Sequence, residues 1–290
     1  PSPFDPRLIV EVAPAVARAA MESGVATRPI AAFDAYVEEL SRFVFRSDML
    51  MRLTFVRVKA DLKTVVFAGG EDDRVLRAAR VSIVERIAQP ILVVRSDVVK
   101  NRVERLDLNY SPGVDCEVLN PADDPRYREY WMLYHQLAQR SGVSPDEART
   151  RVRTNATVIA ALAVMRGDAD AMICGSEGRY DQHLRHIQDI IGFQNGVREM
   201  SAISVLILSS GTFFLTDTHV TPNPTAEEVA EMTLLAAEEV RRFGIQRKVA
   251  LLSQSNFGSS NSVSAQKMRL ARHLVSEAKP DRQVEGEMHG

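Results

Sequence analysis

The chain has 290 residues, which exceeds the usual size of one domain and predicts two. Hydrophobic residues make up 45% and charged residues 26%, a globular composition that excludes a disordered chain, collagen or a coiled coil. The 36 basic residues nearly balance the 38 acidic ones, so the formal net charge is −2. A dedicated nucleic-acid binder carries a basic excess, and that class is therefore disfavoured.

Cysteine usage and the chain termini predict the cellular compartment of the protein and its relation to a longer chain. Cys116 and Cys174 lack the spacing of a CxxC motif, which indicates reduced thiols in a cytoplasmic protein without a structural zinc site. No apolar run reaches about 18 residues, so no membrane span is predicted. The first residues resemble neither a signal peptide nor a transit peptide, and both ends are expected to be cuts in a longer protein.

Two helices without a strand are predicted at the start of the chain. Apolar residues recur at helical spacing over 7–23, with Pro14 as the expected kink, and a shorter helix is predicted at 33–40. An alternation of strands and helices follows. The strands are predicted at 63–68, 91–94, 116–119 and 171–174, and the helices at 71–89, 127–140, 144–165 and 180–191. This order predicts parallel pairing in an α/β sheet.

The last part of the chain has a different pattern. Residues 205–208 and 212–215 predict an antiparallel hairpin around a short glycine turn. Further helices are predicted at 224–243 and 263–278, and further strands at 249–252 and 282–288. A domain boundary is therefore expected near 192–201.

The first candidate site follows strand 171–174, where a glycine and a polar turn lead into a helix. The free backbone N–H groups of a helix start can hold an anion, and open α/β sheets bind ligands at the carboxyl ends of their strands. Arg179, His183 and Arg185 lie near that point. A solvated charged surface remains the alternative. His183 and His186 have the spacing of a metal half-site, but too few ligands accompany them, and no metal is predicted.

The second candidate site is the serine-rich loop 253–262, between a strand and a helix. Its hydroxyls can approach a phosphate, and Ser253, Ser255 and Ser259 are the candidate contacts. The loop lacks the Gly-Lys-Ser/Thr of a P-loop, and a serine-rich helix cap is an equally good interpretation. The chain has no Gly-x-Ser-x-Gly elbow, and acids after the turn 69–70 would repel a dinucleotide pyrophosphate.

Three segments carry a family resemblance through their sequences and their order along the chain: 65–75 (VVFAGGEDDRV), 167–175 (GDADAMICG) and 249–253 (VALLS). Through them residues 48–290 resemble the phosphate acetyl/butyryltransferase family. A narrower similarity, to the transacetylase-like C-terminal domain of large bacterial NADP-dependent malic enzymes, rests on 124–131, 178–187, 214–220 and 286–290. Residues 3–17 are similar to the end of the catalytic domain of such an enzyme.

The resemblance implies an α/β fold of two subdomains around a cleft, of the isocitrate/isopropylmalate dehydrogenase-like, phosphotransacetylase type, preceded by a short helical segment. The implied domains are the helical end of a catalytic domain with a linker at 1–47, an incomplete first subdomain at 48–195, and a second α/β subdomain at 196–290. The linker is expected near 41–50.

The resemblance also implies a coenzyme A or acyl phosphate site in or near the cleft. Arg185 matches the arginine that the transferases place after the Gly-Asp-Ala-Asp strand. Arg179, His183 and the three loop serines, which are candidates from the residue pattern, are the other predicted acyl-CoA/phosphate contacts. Ala138 stands where the transferases carry a second arginine. The family's catalytic Ser-Arg pair and Asp lie beyond Gly290, so no catalytic residue is assigned, and slow transfer is expected.

The resemblance leads to three functional hypotheses. The first is a regulatory domain of a malic enzyme that binds acetyl-CoA, helps to hold a homo-oligomer and lacks transferase activity. The alternatives are an active phosphate acetyltransferase and an oligomerisation scaffold. The implied partners are acetyl-CoA or a related acyl-CoA and the malic enzyme catalytic domain of the same chain, where NADP and a divalent metal would bind. Neither nucleic acid nor membrane is an expected partner.

Overall fold

The computed structural model describes residues 7–44, 54–208, 211–281 and 283–290. The chain divides into two compact units, and we call Phe55–Arg198 the central unit. The terminal unit consists of Glu199–Gly290 with the described part of Pro1–Thr54. The division falls after Arg198, inside the segment where the sequence predicts a boundary. The predicted linker lies largely outside the described residues.

The central unit is built on a four-stranded parallel sheet with the strand order β3-β2-β1-β4. Its strands are β1 (Thr64–Ala68), β2 (Gln89–Val93), β3 (Glu117–Leu119) and β4 (Ala171–Ile173). Val66 of β1 pairs with Ile91 on one side and with Met172 on the other. The predicted α/β fold with parallel pairing is confirmed, whereas the dehydrogenase-like type stays a prediction.

Helices cover both faces of this sheet. The helices of this part of the chain are, in chain order, α3 (described over 54–60), α4 (Asp73–Glu85), α5 (Ser96–Arg105), α6 (Tyr127–Ala138), α7 (Pro145–Thr154), α8 (Ala156–Arg166) and α9 (Tyr180–Ile190), with a 3-10 turn at Gln139–Ser141. Val66 and Ile91 point to one core, which contains residues of α6, α7 and α8. Phe67 and Leu92 point to the other, with residues of α4 and α5. Alternate side chains of the buried strands thus fill two cores.

The predicted single helix 144–165 is wrong, because the chain leaves the helical conformation at Asn155. Its φ is −119° and its ψ is 105°. Its side-chain oxygen accepts hydrogen bonds from the backbone N–H groups of Thr157 and Val158 and so begins α8. Ser144 caps α7, with Pro145 in the first turn as predicted. Two capped helices therefore replace one.

The described part of the terminal unit contains three groups of helices and strands. Helices α1 (Arg7–Glu22) and α2 (Phe33–Val44) begin it, and strands β5 (Ser204–Leu208) and β6 (Gly211–Leu215) form the predicted antiparallel hairpin. The third group consists of α10 (Ala226–Arg242), β7 (Lys248–Leu252), α11 (Val263–Ala278) and β8 (Gln283–Met288). Strands β7 and β8 pair in parallel, and Leu251, Ala271, Val275 and Val284 lie in its core.

Two predictions for the terminal unit fall partly outside the described residues. These are the turn of the hairpin, at 209–210, and Arg282, the predicted first residue of β8. Thr225 and Glu228 form a reciprocal capping box that begins α10, so this predicted helix start is confirmed. No helix in the described ranges is both long and apolar enough to cross a membrane.

Candidate functional site

A cleft of about 810 Å³ opens in the central unit where β1 and β4 end. The two strands are parallel neighbours, so their carboxyl ends lie at the same edge of the sheet. The loop after β1 contributes Gly69 and the acidic residues 71–73 to the wall of this cleft. The loop after β4 contributes residues 175–178, and His183 of α9 also lines it. This is the edge at which open α/β sheets bind ligands.

Arg74 connects the two loops at the rim of the cleft. Asp72 caps α4 by accepting from the backbone N–H of Arg74 at 2.8 Å, and its carboxylate also pairs with the Arg74 guanidinium at 2.6 Å. Nη2 of Arg74 donates to the carbonyl oxygen of Ser176 at 2.7 Å. The hydrogen bonds from Arg74 lower the pKa of Asp72 to about 2. Asp72 is therefore a carboxylate at neutral pH.

Two further acids of the cleft also face arginines. Glu71 is paired in a bidentate manner with Arg95, at 2.8 and 3.0 Å, and this hydrogen bonding lowers the pKa of Glu71. Asp73 lies 3.2 Å from the guanidinium of Arg102. The acids at and just before the start of α4 thus present compensated carboxylates, and a pyrophosphate would have to displace these pairs.

His183 is held from both of its ring nitrogens. Nδ1 lies 2.7 Å from Oγ1 of the buried Thr157, and Nε2 lies 2.7 Å from the carbonyl oxygen of Glu177. A carbonyl oxygen only accepts, so Nε2 must carry a proton. In the neutral ring Nδ1 then accepts from the Thr157 hydroxyl. His183 therefore fixes the loop after β4 to the first turn of α8.

His186, one turn further along α9, has a different partner at the same helix start. Its Nε2 lies 3.1 Å from Nδ2 of Asn155. The Asn155 oxygen already accepts two backbone hydrogen bonds, so the amide nitrogen donates and Nε2 of His186 accepts. Burial lowers the pKa of His186, which favours this neutral ring. The described residues contain no group of three or more His, Cys, Asp or Glu side chains able to hold a metal ion.

The structure separates the predicted residues of α9. His183 lines the cleft, whereas Arg179 is exposed and paired with Asp181 through two contacts of 3.0 Å. Arg185 is also exposed, and among the described residues it makes no ion pair or hydrogen bond. An arginine with this exposure is available to an anion in solution.

The predicted serines lie together on the loop after β7, in the terminal unit. Ser255 is buried, and its hydroxyl donates to Oε1 of Glu287 at 2.7 Å. Ser259 Oγ accepts from the backbone N–H of Asn256 at 3.0 Å. Two of the three predicted hydroxyls therefore hold the loop itself. The helix cap is a different serine, Ser262, whose Oγ accepts from the backbone N–H of Ala265 at 3.3 Å and begins α11.

Glu287 is the central residue of this loop, and sequence reasoning did not find it. Its side chain is fully buried. Besides Ser255, Oε1 accepts from the backbone N–H of Gly258 and from Nη1 of Arg269, each at 2.9 Å. These hydrogen bonds, that from Ser255 foremost, lower the pKa of Glu287 to about 2. Glu287 Oε2 and Ser253 Oγ are buried without a hydrogen-bond partner among the described residues.

Comparison with known proteins shows the family to which the chain belongs. The model of the phosphate acetyl/butaryl transferase family matches residues 49–290, which is most of the chain. The chain belongs to this family. A solved phosphotransacetylase from Streptococcus pyogenes has a similar fold: the TM-score is 0.76 and the identity 24%, over 84% of this chain and 73% of that one.

The chain is also similar to two malic enzymes over its whole length. It is 57% identical to an NAD-dependent malic enzyme of Rhizobium meliloti (strain 1021) and 49% identical to an NADP-dependent malic enzyme of Escherichia coli (strain K12). It spans 38% of the length of each relative, in the phosphate acetyltransferase-like C-terminal portion. The recognition from sequence is thereby confirmed: this family member has the domain type found in malic enzymes.

Proposed function

We propose that this chain is the regulatory domain of a malic enzyme, that it binds an acyl-CoA such as acetyl-CoA, and that it does not transfer the acyl group. The observation that carries the proposal is the 57% identity to a malic enzyme over all of the chain, including residues before the family match begins at 49. Regulation then requires different acyl-CoA affinities in two states of the enzyme, a coupling of typically about 1–3 kcal/mol.

Two arginines, one just before α9 and one within it, support an acyl-CoA site. Coenzyme A carries several phosphate charges, and guanidinium groups bind phosphate oxygens through directed hydrogen bonds. Arg185 is exposed and without an ion pair among the described residues, while Arg179 would have to exchange Asp181 for the ligand. Arg185 is therefore the first phosphate contact that we propose.

Three features support the absence of transfer. Ala138 ends α6 and offers only a methyl group where the transferases carry an arginine. Both ring nitrogens of His183 are already bonded, so the ring is poorly placed to act as a general base. The acids of the cleft are paired with arginines, and an acyl phosphate would have to displace these pairs to reach the cations. Without a group that stabilises developing negative charge, transfer is slow.

Isothermal titration of acetyl-CoA into the intact protein tests the proposal. We expect binding, and we expect Arg185→Met to weaken it about tenfold, because one charged hydrogen bond is worth about 1.5 kcal/mol or more. Arg80→Met, which removes an exposed arginine of α4, is the matched control and should leave the affinity unchanged. The absence of binding by the unaltered protein would refute the acyl-CoA role.

Membership of the transferase family favours a second candidate, an active phosphate acetyltransferase. The assay is acetyl-CoA formation from acetyl phosphate and coenzyme A. Turnover at the rate of an efficient enzyme would replace the regulatory proposal with this one. Background turnover would support regulation.

A homo-oligomer is also part of the proposal. The β5–β6 hairpin exposes apolar side chains, among them Leu208 at 51% and Phe213 at 47%, and such surface is typical of association sites. Light scattering of the intact protein and of Leu208→Lys tests this assembly. An unchanged particle mass in the variant would show that the hairpin is not part of the oligomer contact.

A further inference from the structure

Asn195 and Gly196 form an exposed turn near the end of the central unit. The turn follows α9, and the unit ends at Arg198. The backbone N–H of Val197 donates to the carbonyl oxygen of Gln194 at 3.0 Å and closes the turn. Asn195 and Gly196 are thus its two central residues. The φ of Gly196 is +87°, which a type II turn requires at its third residue and which favours glycine.

The reactive groups of this turn are free. Among the described residues, neither the side-chain amide of Asn195 nor the backbone N–H of Gly196 makes a hydrogen bond, and both residues are exposed. A Cβ atom added to Gly196 would meet no heavy atom within 4 Å apart from its chain neighbours. The backbone nitrogen of Gly196 is therefore shielded neither by packing nor by a side chain of its own.

Asparagine is a thermally labile residue, and these two free groups can react with each other. The nitrogen of Gly196 loses its proton to solvent and attacks Cγ of Asn195, which forms a cyclic imide. The bond from Cγ to Nδ2 breaks, and Nδ2 takes up a proton and leaves as ammonia. Water then opens the ring. Its addition at Cγ gives aspartate, whereas its addition at the backbone carbonyl gives isoaspartate, with the chain running through Cγ.

Two exposed asparagines of the serine-rich loop lack these conditions. Oδ1 of Asn256 accepts from the backbone N–H of His289 at 2.8 Å. Oδ1 of Asn261 accepts from Nη2 of Arg269 at 3.3 Å. Each is followed by a residue with a side chain, which hinders attack by the next nitrogen, whereas Asn195 alone in the sequence precedes a glycine. The two loop asparagines are therefore an internal comparison for Asn195.

We propose that Asn195 is a site of spontaneous modification, at which the side-chain amide is lost through a cyclic imide formed with the backbone nitrogen of Gly196. The loss adds one negative charge, so the formal net charge changes from −2 to −3. The isoaspartate product also adds a carbon atom to the backbone shortly before the chain enters the terminal unit at Glu199. The folded protein thus changes its charge and its backbone with time, without any ligand.

The test incubates the intact protein in water labelled with heavy oxygen, at neutral and at alkaline pH. Trypsin then releases peptide 186–198, which contains Asn195, and peptide 249–267, which contains Asn256 and Asn261. Mass spectrometry detects the lost amide and the incorporated label. A methyltransferase that recognises the free α-carboxyl of isoaspartate identifies that product.

Three comparisons accompany the unaltered protein. Asn195→Gln keeps an amide on a longer side chain, which closes a less favourable ring. Gly196→Ala places a Cβ atom beside the attacking nitrogen. The free peptide 186–198 has the same sequence without the fold.

We expect the folded protein to lose the amide of Asn195 at least about tenfold faster than those of Asn256 and Asn261, which corresponds to a barrier lower by about 1.4 kcal/mol. The loss should be faster at alkaline pH, because the attack needs a deprotonated nitrogen, and slower in both variants. If the folded protein kept this amide while the free peptide lost it, the turn would protect Asn195 and the proposal would be wrong. Equal rates at Asn195 and Asn256 would also overturn it.

Discussion

The hydroxyl of Thr157 and Nδ1 of His183 lie 2.7 Å apart, which joins the buried first turn of α8 to a side chain of the cleft. The Glu177 carbonyl on the far side of the ring requires a proton on Nε2. The neutral ring is thus fixed in one tautomer by two partners that belong to different elements. This chain of contacts connects the interior of the central unit to the loop after β4.

Thr157→Val removes the hydroxyl and keeps the shape of the side chain. We expect a loss of about 1 kcal/mol in the free energy of unfolding of the central unit, the usual net value of one hydrogen bond. Urea unfolding measures it. Thr157→Ser is the matched control, because it retains the donor. If valine and serine variants were equally stable, the hydroxyl would contribute nothing.

His186 makes the stability of the central unit sensitive to mild acid. Burial lowers its pKa in the folded chain, so stability is fully present above the unfolded value of 6.5 and is lost as the pH falls below it. Protonation would also set an N–H against the amide group of Asn155. We expect the unaltered protein to lose more unfolding free energy than His186→Gln between about pH 7.5 and about pH 5.5.

The control for this pH dependence is His273→Gln, which alters an exposed ring on α11 that lies 3.3 Å from Glu277. It should retain the loss seen in the unaltered protein between the two pH values. A His186→Gln variant with the same pH dependence as the unaltered protein would show that Asn155 does not discriminate between the two forms of the ring.

Asp72 stabilises the start of α4, and its substitution should destabilise the protein by removing this helix cap. Asp72→Ala is expected to lower the unfolding free energy by about 1 kcal/mol, whereas Asp72→Asn keeps a capping oxygen and should lose less. The pKa of Asp72 near 2 in the folded chain lies below the ordinary value of 3.8, so this stabilisation is present above pH 3.8 and is lost as the pH falls through 2. Denaturant unfolding at neutral pH ranks the two variants, and an equal loss in both would contradict capping.

Glu287→Gln should loosen the serine-rich loop. The variant loses the charge to which Ser255, Gly258 and Arg269 donate hydrogen bonds. The backbone N–H of Ser260 donates in turn to Oγ of Ser255 at 3.0 Å. We therefore expect faster hydrogen exchange at the amides of Gly258 and Ser260, read by mass spectrometry. Because the folded pKa of about 2 lies below 4.5, the carboxylate stabilises the fold above pH 4.5 and ceases to do so as the pH falls through 2.

Glu285→Gln provides the comparison for the loop, since Glu285 lies on the same strand with an exposed side chain. Its exchange rates should match those of the unaltered protein. Unchanged protection of Gly258 in Glu287→Gln would mean that Phe257 and its neighbours keep their conformation without the carboxylate.

Much of the fold could be predicted from local signals. Short apolar runs predict the strands, and their alternation with helices led to the parallel sheet of the central unit. The expected burial of the strand at 171–174 is wrong, because β4 lies at the edge of the sheet and Ile173 is 53% exposed. The hairpin of β5 and β6 followed from two apolar runs around a glycine. Each of these signals lies within a few neighbouring residues, so the strands and helices can be predicted without knowledge of tertiary contacts.

The remaining features depend on contacts between distant residues. Asn155 reads as one more residue of a long helix, and only its side-chain bonds to Thr157, Val158 and His186 explain the break. Helix α5 was not predicted, because Val99 and Val103 are its only buried residues. The role of Glu287 depends on Ser255, which lies 32 residues earlier. No spacing rule in the sequence indicates such a pair.

The strand order of the central unit also sets the order in which this unit can form during synthesis. The backbone of Thr64 is hydrogen-bonded to Asp170, which lies 106 residues further along the chain. One edge of β1 therefore gains its partner strand, β4, only after almost the whole unit has left the ribosome. Until then a Val- and Phe-containing strand presents unpaired backbone groups, a template for association between nascent chains. Chains that stop before β4 should therefore be recovered as aggregates, while the pairing with β2 can form early.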